Sequence, residues 1–371
     1  MRRRDFISTS AASAVLSAQT APRPQVESII TISRQPEYYH GWATLAMRRN
    51  KELVVAYSGG RDAHVCPFGR VELMRSRDGG RTWSWPEVLL DSPIDDRDSG
   101  VLETPAGSLL VTTFTSLAYE AVLKQASGWA AEKLERWQAA NLRTTPPQRH
   151  ALLDTWMLRS TDGGMTWSAP YRVPVNSPHG PIALADGRLL YAGKQLWQPG
   201  QKVGICESSD DGKTWRWLSE IPARPGDTVE QYHELHAVQT ADGRVIVHIR
   251  NHNPQNQGET LQTESGDGGR TWTTPHGIGV WGLPSHLLRL RDGRLLMSYG
   301  YRRAPFGNQA RTSSDHGGTW SEPIVISDDG AGVDLGYPST VELDSGLLVT
   351  VWYESLKGSA HAVLRQARWS I

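Results

Sequence analysis

The sequence predicts an all-β protein, a single six-bladed β-propeller, and three observations carry that expectation. An octet of the form S-x-D-x-G-x-T-W occurs five times, a strand-turn-strand unit occurs six times, and the octets recur at a period of about 50 residues, which suits one four-stranded blade each. The composition agrees. Among 371 residues, 36 Gly allow tight turns and 15 Trp can fill the space between sheets.

Charge and cysteine content exclude several function classes. Lys+Arg and Asp+Glu both number 39, so no long-range field draws the chain to nucleic acid or an anionic membrane. Two cysteines, Cys66 and Cys206, cannot build a disulfide scaffold, and without paired C-x-x-C spacing no zinc site is expected. No run of about 18 apolar residues occurs, so no segment is expected to span a membrane.

In chain order, residues 1–21 read as a targeting segment. MRRRDF followed by the mildly apolar ISTSAASAVLSA resembles a twin-arginine export signal with cleavage near Ala18 to Ala21, which implies a periplasmic or secreted protein. The propeller is expected over about residues 25–371. Its octets are Ser76 to Trp83, Ser160 to Trp167, Ser208 to Trp215, Ser265 to Trp272 and Ser313 to Trp320. Each reads as a hairpin turn: the Asp caps backbone N–H groups, Gly supplies positive φ, and Trp packs between sheets.

Before every octet stands a strand-turn-strand unit such as IALADGRLLYAG, and a sixth, TVELDSGLLVTVWYE, has no octet after it. The tail AHAVLRQARWSI adds only a third strand to that sixth unit. A propeller must close without an unpaired edge, so the early strand Glu27 to Ser33 is expected to complete blade six. The long interval between the first two octets holds Leu117 to Arg149, whose apolar spacing predicts a helical insertion in blade two.

The octet is the Asp-box, and five copies resemble the sialidase (neuraminidase) superfamily of β-propellers. That resemblance implies Asp-boxes on one face and functional residues on the other, where first strands begin and second strands end. There the sequence gathers polar and titratable groups, among them six histidines: His40, His64, His179, His233, His252 and His286. Of these, His40, His179 and His233, with Trp42, are candidate substrate contacts.

The specific match is in blades four and six. Sialidases carry a Glu nine residues before a turn Gly and an Arg seven after it, and Glu234, Gly243 and Arg250 have that spacing. Gly336-Tyr337-Pro338-Ser339-Thr340 is similar to the segment with the nucleophilic Tyr. The anomeric carbon of a sialic acid already bears a carboxylate, so a neutral phenol activated by a Glu base attacks it more easily than an anionic carboxylate does. The resemblance thus implies Tyr337 as nucleophile and Glu234 as its base. Arginine suits a substrate carboxylate because it binds bidentately and stays charged; Arg250 matches the second of the family's three, and Arg302 or Arg303 stands where the third is expected.

The sequence departs from the family twice. Gly41-Trp42-Ala43 aligns where the first arginine belongs, leaving Arg97 or Arg61 to fill that space from nearby. The acid/base Asp is displaced too, and the candidates are Asp62, Asp96 and Asp98. The implied activity is release of a terminal acidic sugar, sialic acid foremost, from a glycan, with no metal or other cofactor and with retention if Tyr337 is the nucleophile. The alternatives are an exo-glycosidase or lyase of other acidic or deoxy-sugar polysaccharides using a rim His or Asp, and a non-catalytic glycan-binding propeller.

Overall fold

The six strand-turn-strand units fold into six four-stranded antiparallel sheets in a computed structural model that describes residues 25–371. The targeting segment expected over residues 1–21 lies outside the described residues. From blade one to blade six the inner strands are Tyr39–Met47, Asp95–Glu103, Ile182–Ala183, Tyr232–Gln239, Ser285–Arg289 and Leu335–Glu342. Blades one to five take their four strands consecutively. Blade six takes Gln25–Thr31 as its outer strand, with Gln25 opposite Ser370 and Thr31 opposite Arg365. The edge left by the missing last strand is thereby paired.

Strands in a propeller face a neighbouring blade on each side, so the second strands read as continuous apolar runs rather than as alternation. Leu53 to Tyr57 and Val245 to Val247 are fully buried in this way. Each contact between adjacent blades holds its own apolar cluster. Leu45, Tyr57, Val349 and Val351 join blades one and six, and Leu190, Ile205, Ala237 and Val247 join blades three and four. Cys66 and Cys206 are both buried and unpaired.

The octets fold as the turn chemistry requires. In the first, Asp78 Oδ1 accepts from the backbone N–H groups of Arg81 and Thr82 at 2.9 Å and from the Ser76 hydroxyl at 2.8 Å, while Oδ2 accepts from the Thr82 hydroxyl at 2.6 Å. Gly80 (φ 83°) takes the left-handed turn position. Box tryptophans reach into the preceding blade: Trp83 Nε1 donates to Gln366, Trp272 Nε1 to Ser219 and Trp320 Nε1 to Gln262. The box is therefore both a turn and a blade-to-blade tie.

Between the second and third strands of blade two stand helices α1 (Ala118–Lys124), α2 (Ala131–Leu142) and α3 (Pro146–Ala151). Tyr119 and Trp137 bury themselves against Cys66 and Ile94, so the insertion sits on the rim where second strands end. No helix among the described residues is long and apolar enough to cross a membrane.

The boxes should give the fold an acid-sensitive component. Partial burial works against the Asp78 charge, but the Thr82 hydroxyl and the backbone N–H groups outweigh it and hold the carboxyl at about 2. A carboxyl lower in the folded than in the unfolded chain stabilises above its unfolded value and loses that contribution as pH falls toward 2. In urea denaturation Asp78→Asn should be less stable than wild type at pH 7, and the gap should close by about pH 2. A gap independent of pH would mean that the turn is held by packing instead.

Candidate active site

The site rests on an irregularity repeated in four inner strands. The ladder between inner and second strand slips register between Gly41 and Thr44, Arg97 and Gly100, His233 and His236, and Gly336 and Ser339. Each slip is a bulge holding a non-glycine residue in the left-handed conformation: Trp42 (φ 55°), Asp98 (45°), Glu234 (47°) and Tyr337 (55°). Such backbone costs about 1 to 3 kcal/mol per residue and persists only where its surroundings over-determine it. Gly100 supports this crowding, because a Cβ there would stand 2.5 Å from the backbone nitrogen of Gly180 in blade three.

Two of these residues meet across the axis. The Tyr337 hydroxyl donates to Glu234 Oε1. Arg250 donates through Nη1 to Glu234 Oε2 at 2.5 Å and to the phenol oxygen at 3.3 Å, and through Nε to His252 Nε2 at 2.7 Å. Burial works against the Glu234 charge, but Arg250 and the Tyr337 hydroxyl outweigh it and hold the carboxyl below its usual range. Burial first, and the Glu234 charge second, push the Tyr337 phenol well above its ordinary value. The resting pair is a neutral phenol bonded to a carboxylate that can accept its proton.

Asp98 is the other carboxyl at this level. Burial pushes it up to about 7; Arg97 opposes the shift and Glu234 adds to it. It is therefore poised to be protonated near neutral pH while Glu234 is not, the division of labour that a general acid and a base need.

The other two carboxyls named from the sequence are engaged elsewhere. Asp62 accepts from Trp137 Nε1 at 2.9 Å and from Arg136, so it anchors helix α2. Asp96 is fully buried and accepts from the Ser92 N–H at 2.7 Å; burial pushes it up to about 8.

Among the cations, Arg302 faces the site, its guanidinium carbon 6.0 Å from the centre of the Tyr337 ring and its Nε bonded to the Leu335 carbonyl at 2.9 Å. Arg303 instead covers Trp281 at 5.5 Å. Arg61 cannot serve a substrate. Its side chain and that of Asp95 are 0% exposed and bonded to each other at 2.6 and 3.0 Å. Arg97 lies 4.2 Å from the centre of the Trp42 ring and donates to the His64 carbonyl at 3.0 Å. Trp42 itself is buried between Arg61, Arg97 and Tyr337, so it is a floor and not a platform for a sugar face.

Apart from His64, whose Nδ1 lies 3.0 Å from Asp334 Oδ1, the histidines near the axis and rim separate into three groups. His40 is buried against Tyr57, and burial lowers it to about 4; it belongs to the blade core. His233 stands beside His252, ring centres 4.7 Å apart, and opposite Arg250 in the ladder. His179 joins His236 and His286 on the axis below Tyr337, at ring distances of 4.6 to 5.3 Å, at the head of a cavity of about 450 Å³. There His236 Nδ1 accepts the Leu287 N–H and His286 Nδ1 the Thr340 N–H, so both are neutral ties between blades. No cluster of His, Cys, Asp or Glu arranged to hold a metal occurs among the described residues.

Sequence reasoning missed Tyr353 and Asp334. The Tyr353 ring packs 5.7 Å from Tyr337, and Asp334 accepts from the hydroxyls of Tyr353 at 3.1 Å and Tyr39 at 3.0 Å. The only signal was their position, at the end of a second strand and the start of an inner one.

Residues 134–350 match the BNR repeat-like domain family. A Paenibacillus xyloglucanase is 27% identical over 207 residues, 49% of this chain, and the match spans only 19% of that enzyme's length. The crystal structure of a Dyadobacter fermentans protein of unknown function superposes with a TM-score of 0.77 at 23% identity, covering 95% of this chain and all of that one. The NanB sialidase of Streptococcus pneumoniae superposes at 0.63 with 14% identity, covering 90% of this chain and 68% of that one. At these identities the structural likeness speaks for the fold.

The Arg61–Asp95 pair generates a stability prediction. Replacing Asp95 by Ala leaves a guanidinium with no exposed surface uncompensated and should cost about 3 to 5 kcal/mol in urea denaturation. A cost below about 1 kcal/mol would show that water reaches Arg61 from the rim.

Proposed function

The chain belongs to the BNR repeat-like family of sialidase-type β-propellers, and from that premise we propose that it is a retaining glycoside hydrolase releasing a terminal acidic sugar, sialic acid foremost, from a glycan. The observation that carries this reading is the hydrogen bond from the Tyr337 hydroxyl to the Glu234 carboxylate. A propeller that only bound glycans would have no need of a phenol from blade six and a carboxylate from blade four held by two strained backbone positions.

In the proposed reaction the Tyr337 oxygen attacks the anomeric carbon as Glu234 takes the phenol proton. The glycosidic carbon–oxygen bond breaks, and Asp98 gives its proton to the departing oxygen. The bond between the anomeric carbon and the Tyr337 oxygen, an aryl glycoside, is then opened by water, which loses a proton to Asp98 as it bonds to the anomeric carbon, while Glu234 returns the proton to Tyr337. Arg302 and the remaining donors of Arg250 hold the sugar carboxylate. The N-terminal arginines support a place for the protein outside the cytoplasm.

A second reading keeps this machinery and changes the sugar. Trp42, buried where the family has its first carboxylate-binding arginine, leaves Arg250 and Arg302 to hold the acid group, which suits a smaller uronic acid. Release of free sugar from a panel of sialyl and uronyl glycosides separates the two.

Tyr337→Phe deletes one oxygen and keeps the ring, so activity should fall by several orders of magnitude with little loss of stability. A 2,3-difluoro sialic acid analogue should label Tyr337 in the wild type. Near-normal turnover by the Phe variant, or a product of inverted configuration, would exclude the covalent route.

The pH profile tests Asp98 separately. Its carboxyl near 7 predicts that kcat/KM declines as pH rises through about 7, because the protonated form is lost. Asp98→Asn should abolish that limb and slow cleavage of sugar leaving groups by roughly 100- to 10,000-fold. A limb that survives the substitution would assign the acid to another group.

A further inference from the structure

The three histidines on the axis carry hydrogen-bonding groups that the ties between blades do not use. Burial holds all three rings below their ordinary value, and hence neutral. His236 Nδ1 accepts the Leu287 N–H at 2.9 Å and His286 Nδ1 the Thr340 N–H at 3.4 Å, so in both rings the proton sits on Nε2. His179 is the opposite tautomer. Its Nδ1 lies 3.3 Å from the Thr44 hydroxyl, whose single proton goes to the Pro178 carbonyl at 3.0 Å, so Nδ1 is the donor and Nε2 a bare acceptor. That Nε2 is buried without a hydrogen-bond partner, and His179 is 2% exposed.

All three rings line the head of the axial cavity of about 450 Å³. From there the cavity follows the later halves of the inner strands, past Leu45, Met47, Leu102, Ile182, Leu288 and Val341, toward the Asp-box face and away from the Tyr337 site. The charged residues along its far end are engaged with the protein. Glu103 pairs with Arg48 at 3.1 Å, Glu342 accepts the Arg291 N–H at 2.8 Å, and Arg289 donates to the Thr240 carbonyl at 3.2 Å. What the cavity offers a ligand is therefore apolar walls along its length and imidazole hydrogen bonds at its head.

The tautomers select among head groups. A metal ion needs lone pairs, which His236 and His286 do not present on Nε2, and an anion brings no proton to His179. A hydroxyl group does both: it accepts from two N–H groups and donates its one O–H, satisfying a buried acceptor that is otherwise costly to leave unpaired. We infer that the axial cavity is a second ligand site, opening toward the face opposite the catalytic one, for a small neutral molecule with an apolar body and a hydroxyl at its head. The His179 ring stands 6.4 Å from that of Tyr337, so this site ends beneath the proposed nucleophile without sharing its substrate. It does not depend on the hydrolase reading. Water carries the same hydroxyl chemistry without the apolar body, and the test separates the two.

Imidazole 15N NMR on the full chain reads the tautomers directly: His179 should carry its proton on Nδ1, and His236 and His286 theirs on Nε2. A proton on Nε2 in all three rings overturns the assignment, because the head would then suit an anion. In saturation-transfer titrations 1-hexanol should bind the wild type and shift the His179 Nε2 resonance. Hexanoate and hexylammonium should bind at least about 10-fold more weakly, since each would bury a charge without a partner. Leu288→Trp, which fills the cavity from a half-buried wall position, should weaken hexanol binding by about 10-fold. Equal binding of hexanol by wild type and variant, or of hexanoate and hexanol by the wild type, overturns the site. No transfer to hexanol would show that the head takes water only, and that also overturns it.

Discussion

Four left-handed residues at one level of the axis are the constraint on which the site depends. A bulge inserts one residue without a ladder partner, and in blades one, two, four and six that residue is Trp42, Asp98, Glu234 or Tyr337. None is glycine, so each is held against its own preference by what surrounds it. The restraint comes from just below, where side chains tie backbone to backbone between blades. Ser339 bridges to Leu45, Thr44 to Pro178, Ser177 to Leu235, His236 to Leu287 and His286 to Thr340. The inner strands are thereby fixed to one another as well as within their sheets, and side chains from distant parts of the chain keep hydrogen-bond geometry across the axis.

Electrostatics then differentiates carboxyls that sit close together. Glu234 is held ionised by Arg250, Asp98 is pushed toward the neutral acid by burial, and Asp95 is locked to Arg61. Trp42 underlies this sorting. Its ring accepts Arg61 and Arg97, which keeps two cations close to Asp98 without placing either in a bidentate pair with it. A tryptophan where a cation stands in related propellers is thus compatible with a positively charged environment.

Much of the architecture was legible because it is written in short periods. Asp-boxes and turn glycines mark each blade, and the unpaired edge left by the tail pointed to the N-terminal strand. Glu234, Arg250 and Tyr337 were singled out by their resemblance to the family's motifs, and the structure brings the three side chains together. The choice among Asp62, Asp96 and Asp98 was not, because it depends on which carboxyl the bulge turns toward the axis and which one the insertion captures. Positive φ at an aspartate or a tryptophan has no signature in the sequence when glycine is not used. Arg61 carried a different ambiguity: a rim arginine and a buried arginine look alike until Asp95 is found opposite it.

The pairing of Gln25 with Ser370 has a consequence for how the molecule is made. During synthesis the early strand emerges ahead of blades one to five and stays without its partner until the last strand follows, so the first blades assemble while the ring is still open. Closure is the most non-local step the chain undergoes, and non-local steps are slow and leave strand edges exposed in the meantime. An emerging chain thus carries an unpaired strand ahead of its blades until Ala362–Ser370 is made. Whatever shields that strand determines how much of the protein matures instead of associating with its neighbours.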